Sequence, residues 1–211
     1  MEKIGRTKDL IFEKSVELFS SCGYENVSMR KIASEVGIKA ASIYNHFSSK
    51  QEILECIFDY YEKLLSQAKP PFKLLKDLVR SGSPREIVRA FTSMMANWRN
   101  AGDRDRLVMI NRLIYSRFYI DNNANQVLIR IERETVEYIS EALNYGIEIQ
   151  RFAPFDAETF ARIFATMYLA MNLESALGND KVLLPNLESE NMVIDFLASY
   201  LIEDRAVLVN N

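Results

Sequence analysis

The chain has 211 residues, 48% apolar and 26% charged, which excludes a disordered polyelectrolyte and provides enough apolar mass for a sizeable core. No apolar run approaches the ~20 residues of a membrane span, and the charged start MEKIGRTKDL lacks an apolar export signal, so a cytoplasmic protein is expected. The net charge of -3 speaks against a polyanionic partner for the whole chain, yet residues 1–50 hold eight Lys or Arg against six Asp or Glu, and the remainder 18 against 23.

Apolar spacing is helical nearly throughout, with five prolines and seven glycines, so the expected class is all-α with about nine helices. A first helix is predicted over Thr7 to Cys22, with Ile11, Leu18 and Phe19 inward, and Gly23 ends it. Ser28 is a good N-cap for a second helix carrying Ile32, Ala33 and Val36, and Gly37 provides the turn that follows. A third helix over Ala40 to Phe47 buries Ile43 and Phe47. Two short helices around a glycine turn make a helix-turn-helix, whose second helix lies in the DNA major groove. Next, Ser48-Ser49-Lys50-Gln51 has the capping-box pattern, with Ser48 as N-cap of a helix that runs to about Gln67 and stops at Pro70-Pro71.

Beyond this head the pattern is a run of longer helices. Phe72 to Val79 is amphipathic, and Ser83-Pro84-Arg85-Glu86 opens a helix that reaches Asn100. Another starts at Asp103, with Leu107, Ile110, Leu113, Ile114 and Phe118 inward. After a polar break over Asp121 to Asn125 a long helix continues to about Ile149. Asp156 caps the next, which ends near Gly178, and a last helix spans about Leu187 to Ile202. The division is a head over residues 1–49 and a larger body over residues 50–211.

Candidate DNA contacts concentrate in one stretch. Ser28 at a helix N-terminus offers a hydroxyl and free backbone N–H groups to a phosphate. Arg30, Lys39 and Ser42 can reach phosphates or base edges. Ala40 and Ala41 permit close backbone approach and contact with a thymine methyl. Tyr44 and His46 are placed to bind phosphates, and Lys50 adds a cation. No catalytic constellation competes with this reading. His46 is the only histidine, Cys22 and Cys56 stand 34 positions apart as reduced core residues, and there is no glycine-rich phosphate loop. No cofactor, metal or enzymatic activity is expected.

The stretch from Ile11 to Leu54 resembles the TetR/AcrR-type bacterial transcriptional regulators. The matching positions are Ile11, Leu18, Phe19, Gly23, Tyr24, Ser28, Arg30, Ile32, Ala33, Gly37, Ile43, Tyr44, His46, Phe47 and Lys50. The resemblance places Ser28, Arg30, residues 39–42, Tyr44, Asn45, His46 and Lys50 at DNA. It implies a homodimer on a palindromic operator, usually a repressor released by a small molecule. Two positions depart from the family: Lys39 stands where Ser or Thr is common, and Ala41 replaces a frequent glycine. Lysine has no acceptor to offer a helix start, a loss of ~1 kcal/mol.

For the body the resemblance implies an all-helical ligand-binding and dimerisation unit. The effector-lining candidates are Phe58, Tyr61, Met94, Trp98, Met109, Ile110, Leu113, Phe118 and Tyr138, an aromatic and methionine set suited to a largely apolar molecule. The last two helices would pair with their mates through Phe160, Phe164, Met167, Met171, Phe196 and Tyr200. The alternatives are an activator or corepressor-dependent regulator of the same fold, and an all-helical small-molecule or partner-binding protein without DNA recognition.

Overall fold

The computed structural model describes the backbone of residues 2–100, 104–177 and 187–201, and the side chains of 6–92, 105–167, 169–170 and 191–201. Among these residues the regular structure is nine α-helices and two short 3-10 turns, with no strand. The head is α1 (Glu2–Cys22), a 3-10 turn (Tyr24–Asn26), α2 (Met29–Val36) and a second 3-10 turn (Ser42–Asn45). The body follows as α3 (Lys50–Ala68), α4 (Phe72–Ser81), α5 (Pro84–Asn100), α6 (Arg104–Arg117), α7 (Asn122–Glu148), α8 (Ala157–Leu177) and α9 (Leu187–Ala198).

In the head, α2 is held at both ends. Ser28 is its N-cap, its hydroxyl accepting from Lys31 N at 3.2 Å. Gly37 follows the last turn at φ 76°, a left-handed conformation that costs glycine little and any other residue more. Its N–H and that of Ile38 both turn back to the end of α2, the latter reaching Ala33 O at 2.9 Å. One apolar cluster closes the head: Ile11, Phe19, Ile32, Ala33, Ile43 and Phe47 are all buried, with Ile53 and Leu54 of α3 beneath them.

The predicted helix over Ala40 to Phe47 takes a tighter form. Its bonds are mainly of the i to i+3 type, Ser42 N to Lys39 O at 2.8 Å and His46 N to Ile43 O at 3.0 Å. Ala41 gives no side-chain cap. A start without a capping acceptor favours this short wound segment over a full α-turn. Ile43 and Phe47 nevertheless point inward as predicted.

The N-cap of α3 also differs from expectation by one residue. Ser49, not Ser48, accepts from Glu52 N at 3.0 Å, while Ser48 donates its N–H and hydroxyl to the Glu52 carboxylate, both at 2.6 Å. The carboxylate three residues after Ser49 outcompetes Gln51 because an ionised acceptor bonds more strongly. Ser83 and Glu86 close the predicted capping box before α5, Ser83 N donating at 2.7 Å. The polar break before α7 shrinks to Asp121, whose carboxylate accepts from Asn123 N at 2.9 Å. The last helix ends at Ala198; Ile202 lies outside the described residues.

In the body α7 and α8 pack side by side, α4 lies on α7, and α5 lies on α9. The α4–α7 crossing is close. A Cβ on Gly146 would sit 2.2 Å from the buried Phe152 ring and 3.1 Å from Val79. For function the important neighbour is α6, which packs on α1 of the head as well as on α8.

Candidate nucleic-acid interface

Ser28, Arg30, Ala40, Ala41 and Tyr44 line one open cleft between the start of α2 and the second 3-10 turn. The buried floor beside them is Met29. Tyr44 keeps 56% of its surface accessible although its neighbours Ile43 and Phe47 are buried, so its ring is held out from the head core. Lys39 and Asn45 are exposed on the same segment, and Ser42 and His46 are half-buried. Among the described residues neither Arg30 nor Lys39 is engaged in an ion pair. Ser28, Arg30 and Tyr44, three of the polar residues expected to face DNA, therefore stand together around a concave surface, next to the N-terminal N–H groups of α2.

Lys50 is placed differently. It is half-buried, donates to Tyr24 O at 2.8 Å, and its ammonium lies 4.0 Å from the centroid of the Tyr24 ring. Tyr24 in turn donates its hydroxyl to Gln51 Oε1 at 3.0 Å. The same ring meets the guanidinium of Arg117 at 4.2 Å. Arg117 is buried, and bonds Glu25 of the head and Asp121 of the body, both at 3.0 Å. Burial holds the Tyr24 hydroxyl above its ordinary pKa. A second tie is Arg106, which reaches Glu13 of α1 at 3.1 Å. Sequence reading missed Tyr24, Arg106 and Arg117 as a group because Arg117 and Glu25 lie 92 positions apart. The available signal was a cation in the last turn of α6, an ordinary feature of a helix end.

Of the effector candidates, Phe58, Tyr61, Ile110 and Leu113 are buried in the core, and Met109, Phe118 and Tyr138 are half-buried. The side chains of Met94 and Trp98 lie outside the described residues. Tyr138 donates to Pro70 O at 2.6 Å, and burial pushes its hydroxyl up to about 12. A cavity of about 30 Å³ lies between the apolar Leu65, Phe91, Ile131 and Phe164 and a polar side made by Glu62, Ser66, Lys69, Arg130, Glu134 and Thr135. That is room for a water, far below the ~300 Å³ of a drug-sized site.

The expected interface residues divide. Phe160 and Phe164 fill the chain's own core, the latter edge-on to Phe91 at 5.9 Å. Phe196 and Tyr200 are 60% and 42% exposed, Met167 is half-buried, and the Met171 side chain is outside the described residues. Among the described residues no three His, Cys, Asp or Glu side chains are grouped as a metal site would require, and no helix is long and apolar enough to cross a membrane.

The head and its cleft define a helix-turn-helix protein with an all-helical body. A family model described as "Bacterial regulatory proteins, tetR family" matches residues 11–57. Over 62 residues the chain is 42% identical to IcaR of Staphylococcus aureus (strain Newman), the HTH-type negative transcriptional regulator of the biofilm operon icaADBC; the match covers 28% of this chain and 33% of that protein. Over 165 residues it is 24% identical to the HTH-type transcriptional regulator YerO of Bacillus subtilis (strain 168), covering 77% of this chain and 54% of YerO. The chain thus spans about a third of the length of the IcaR relatives and about half that of YerO. Among solved structures it resembles the TetR family regulator PfmR of Thermus thermophilus, with 22% identity, a TM-score of 0.61, and coverage of 90% of this chain and 98% of that one. A transcriptional regulator from Saccharomonospora viridis in complex with choline gives 17% identity and a TM-score of 0.65, covering 95% and 100%. These structural likenesses establish the fold. The match to the tetR family model covers the head, residues 11–57.

Proposed function

We propose that the chain is a homodimeric transcriptional repressor that binds a palindromic operator in double-stranded DNA and is released from it by a small, largely apolar molecule. The observation that carries this reading is the cleft in which Ser28, Arg30, Ala40, Ala41 and Tyr44 meet, with the Arg30 and Tyr44 side chains held out to solvent. Ser28 and Arg30 bind phosphate at the positive end of α2, and Lys39, Ala40, Ala41 and Ser42 approach base edges. Tyr44, Asn45 and His46 hold the backbone beside them. Lys50 serves both the DNA and Tyr24, since an ammonium carries three donors. Two heads separated by ~34–36 Å would read half-sites in successive major grooves.

Repression is supported by the similarity of the head to IcaR, described as a negative regulator. A small-molecule effector is supported by the neighbour of the same fold solved in complex with choline. An effector acts only by binding the DNA-competent and released arrangements unequally. The deciding experiment is selection of bound duplexes from a random pool, followed by titration of the enriched site at two salt concentrations. A palindromic enriched sequence with steep salt dependence is expected. A pool without enrichment overturns the reading.

A further inference from the structure

Glu62 and Leu65 on one face of α3, with Lys69 at its C-cap, border the small cavity of the body. Arg130 and Glu134 face them from α7. Phe91, wholly buried, and Phe164, 1% exposed, line its apolar side with their rings edge-on at 5.9 Å. The opposite side is charged. Glu62 Oε1 accepts from Arg130 Nε at 2.7 Å and from a terminal guanidinium nitrogen at 2.6 Å, and Lys69 donates to Glu134 Oε2 at 2.9 Å. Of the two hydroxyls that also line the cavity, Thr135 donates to Ile131 O at 2.7 Å and Ser66 is exposed, so the charged groups decide what enters.

The two ion pairs tie α3 to α7, and they are uneven. Arg130 and Glu134 keep 46% and 54% of their side-chain surface accessible, Glu62 and Lys69 only 27% and 17%. The cavity of about 30 Å³ admits anything larger than a water only when the two helices part. The α7 partners then turn into water at little cost, because an exposed ion pair is a weak tie. The two α3 charges regain less water and are left uncompensated unless the entering molecule supplies their partners. They stand seven residues apart, ~10 Å along the helix, with the buried Leu65 between them. A molecule with opposite charges at its ends and an apolar middle satisfies every group that its entry releases.

We infer that this cavity, opened between α3 and α7, is the effector site and takes an amphoteric molecule. An ammonium group meets Glu62, a carboxylate meets Lys69, and the apolar part between them lies against Leu65, Phe91 and Phe164. The inference rests on the effector-responsive reading above and adds charged ends to its largely apolar molecule. Lys50, at the other end of α3, donates to Tyr24 O of the head at 2.8 Å, so displacing α3 from α7 acts on the helix-turn-helix.

The test is a calorimetric titration of the purified full chain with ω-aminooctanoate, whose charged ends match the spacing of Glu62 and Lys69. Octylamine and octanoate, which lack one charge each, and γ-aminobutanoate, which is too short, are titrated beside it. The ω-aminooctanoate is expected to bind about tenfold more tightly than any of the three, the worth of one charged hydrogen bond. Glu62→Gln is expected to abolish its advantage over octanoate, and Lys69→Met its advantage over octylamine. Arg130→Gln and Glu134→Gln remove the groups that compete with the ligand and are expected to strengthen binding severalfold, which a purely structural role for the pairs would not produce. In the wild type ω-aminooctanoate should also weaken binding to the selected duplex. No detectable binding of ω-aminooctanoate, equal binding of all four probes, or weaker binding by Arg130→Gln and Glu134→Gln would overturn the inference. Binding that leaves the duplex affinity unchanged would overturn the effector role. Failure of DNA selection with probe binding intact would overturn the repressor reading instead.

Discussion

Arg117 at the end of α6 stacks its guanidinium 4.2 Å over the ring of Tyr24, the first residue of the head's 3-10 turn. Lys50, at the start of α3, meets the same ring at 4.0 Å. Two body helices therefore end on one aromatic side chain of the head, and neither can shift without moving it or breaking a cation–π contact. Arg117 is also 11% exposed in its pairs with Glu25 and Asp121, so its removal strands the Asp121 carboxylate, 9% exposed. Arg117→Ala is expected to destabilise the chain by about 2–4 kcal/mol. Arg162→Ala, which breaks a pair 60% and 63% exposed, should cost below ~1 kcal/mol. Urea melts of the two variants decide this; equal midpoints would remove Arg117 from the head–body tie.

The cleft makes a separate demand. Because Tyr44 is 56% exposed and outside the core, Tyr44→Ala should weaken DNA binding at every sequence with the melting temperature unchanged. Arg30→Ala should act likewise and lower the salt slope by about 0.9, one phosphate contact. Lys50→Ala is expected to lose stability as well as affinity, since it also removes the Tyr24 carbonyl's donor. A salt slope unmoved by Arg30→Ala would place that guanidinium off the backbone.

Local signals carried most of the architecture. Ser28, Gly37, Ser83, Glu86 and Asp156 act within a turn of their own position, so sequence spacing locates them. Competition between equally near groups is harder to read, which is why the cap of α3 moved to Ser49 once the Glu52 carboxylate entered. The winding of the Ser42–Asn45 segment turned on the missing acceptor at its cap, Ala41, whose effect on bond type spacing does not encode. The contacts of Arg117 and the pairing of Glu62 with Arg130 depend on which helices cross, a long-range outcome. Periodicity marked both Phe164 and Phe196 as apolar, and only the fold separates the buried ring from the exposed one.

Gly146 tests the packing of Phe152 back onto the end of α7. An added methyl meets the Phe152 ring at 2.2 and 2.4 Å, and that ring is buried. Gly146→Ala should cost about 1–3 kcal/mol by overpacking. Combined with Phe152→Ala, the two losses should fall well short of additive, because the clash is gone. An additive double variant in chemical denaturation would mean that the added methyl does not act through the Phe152 ring.

The two cysteines should differ in reactivity. A hydrogen bond with Ser21 and then the Lys31 ammonium, 3.5 Å away, hold the Cys22 thiol below its ordinary pKa, while burial pushes the Cys56 thiol up. The thiolate is the reacting form. Native-state titration with a disulfide reagent at neutral pH should modify Cys22 first, and Lys31→Gln should slow that phase. Single Cys→Ser variants assign the phases, and a faster Cys56 would refute the assignment.

The exposed apolar face at the end of the body makes the last demand. Ile163 is 57% exposed and Phe196 60%, and they flank a groove completed by Phe155, Phe160 and Tyr200; Met192, also on α9, is 71% exposed. The Phe196 and Tyr200 rings meet edge-on at 5.5 Å, and Tyr200 meets Phe160 at 6.2 Å, so the ridge is pre-ordered. Contiguous apolar rings left in water favour association, and the two-fold operator expected for the heads asks for a second copy. Phe196→Glu removes apolar surface and sets like charges against each other across a two-fold axis, yet it touches no fully buried side chain's volume. The variant should sediment as a folded monomer with the helical circular dichroism of the wild type, and lose affinity for a palindromic duplex while retaining weak binding to a half-site. A Phe196→Glu protein that still sediments as a dimer would move the interface away from α8 and α9.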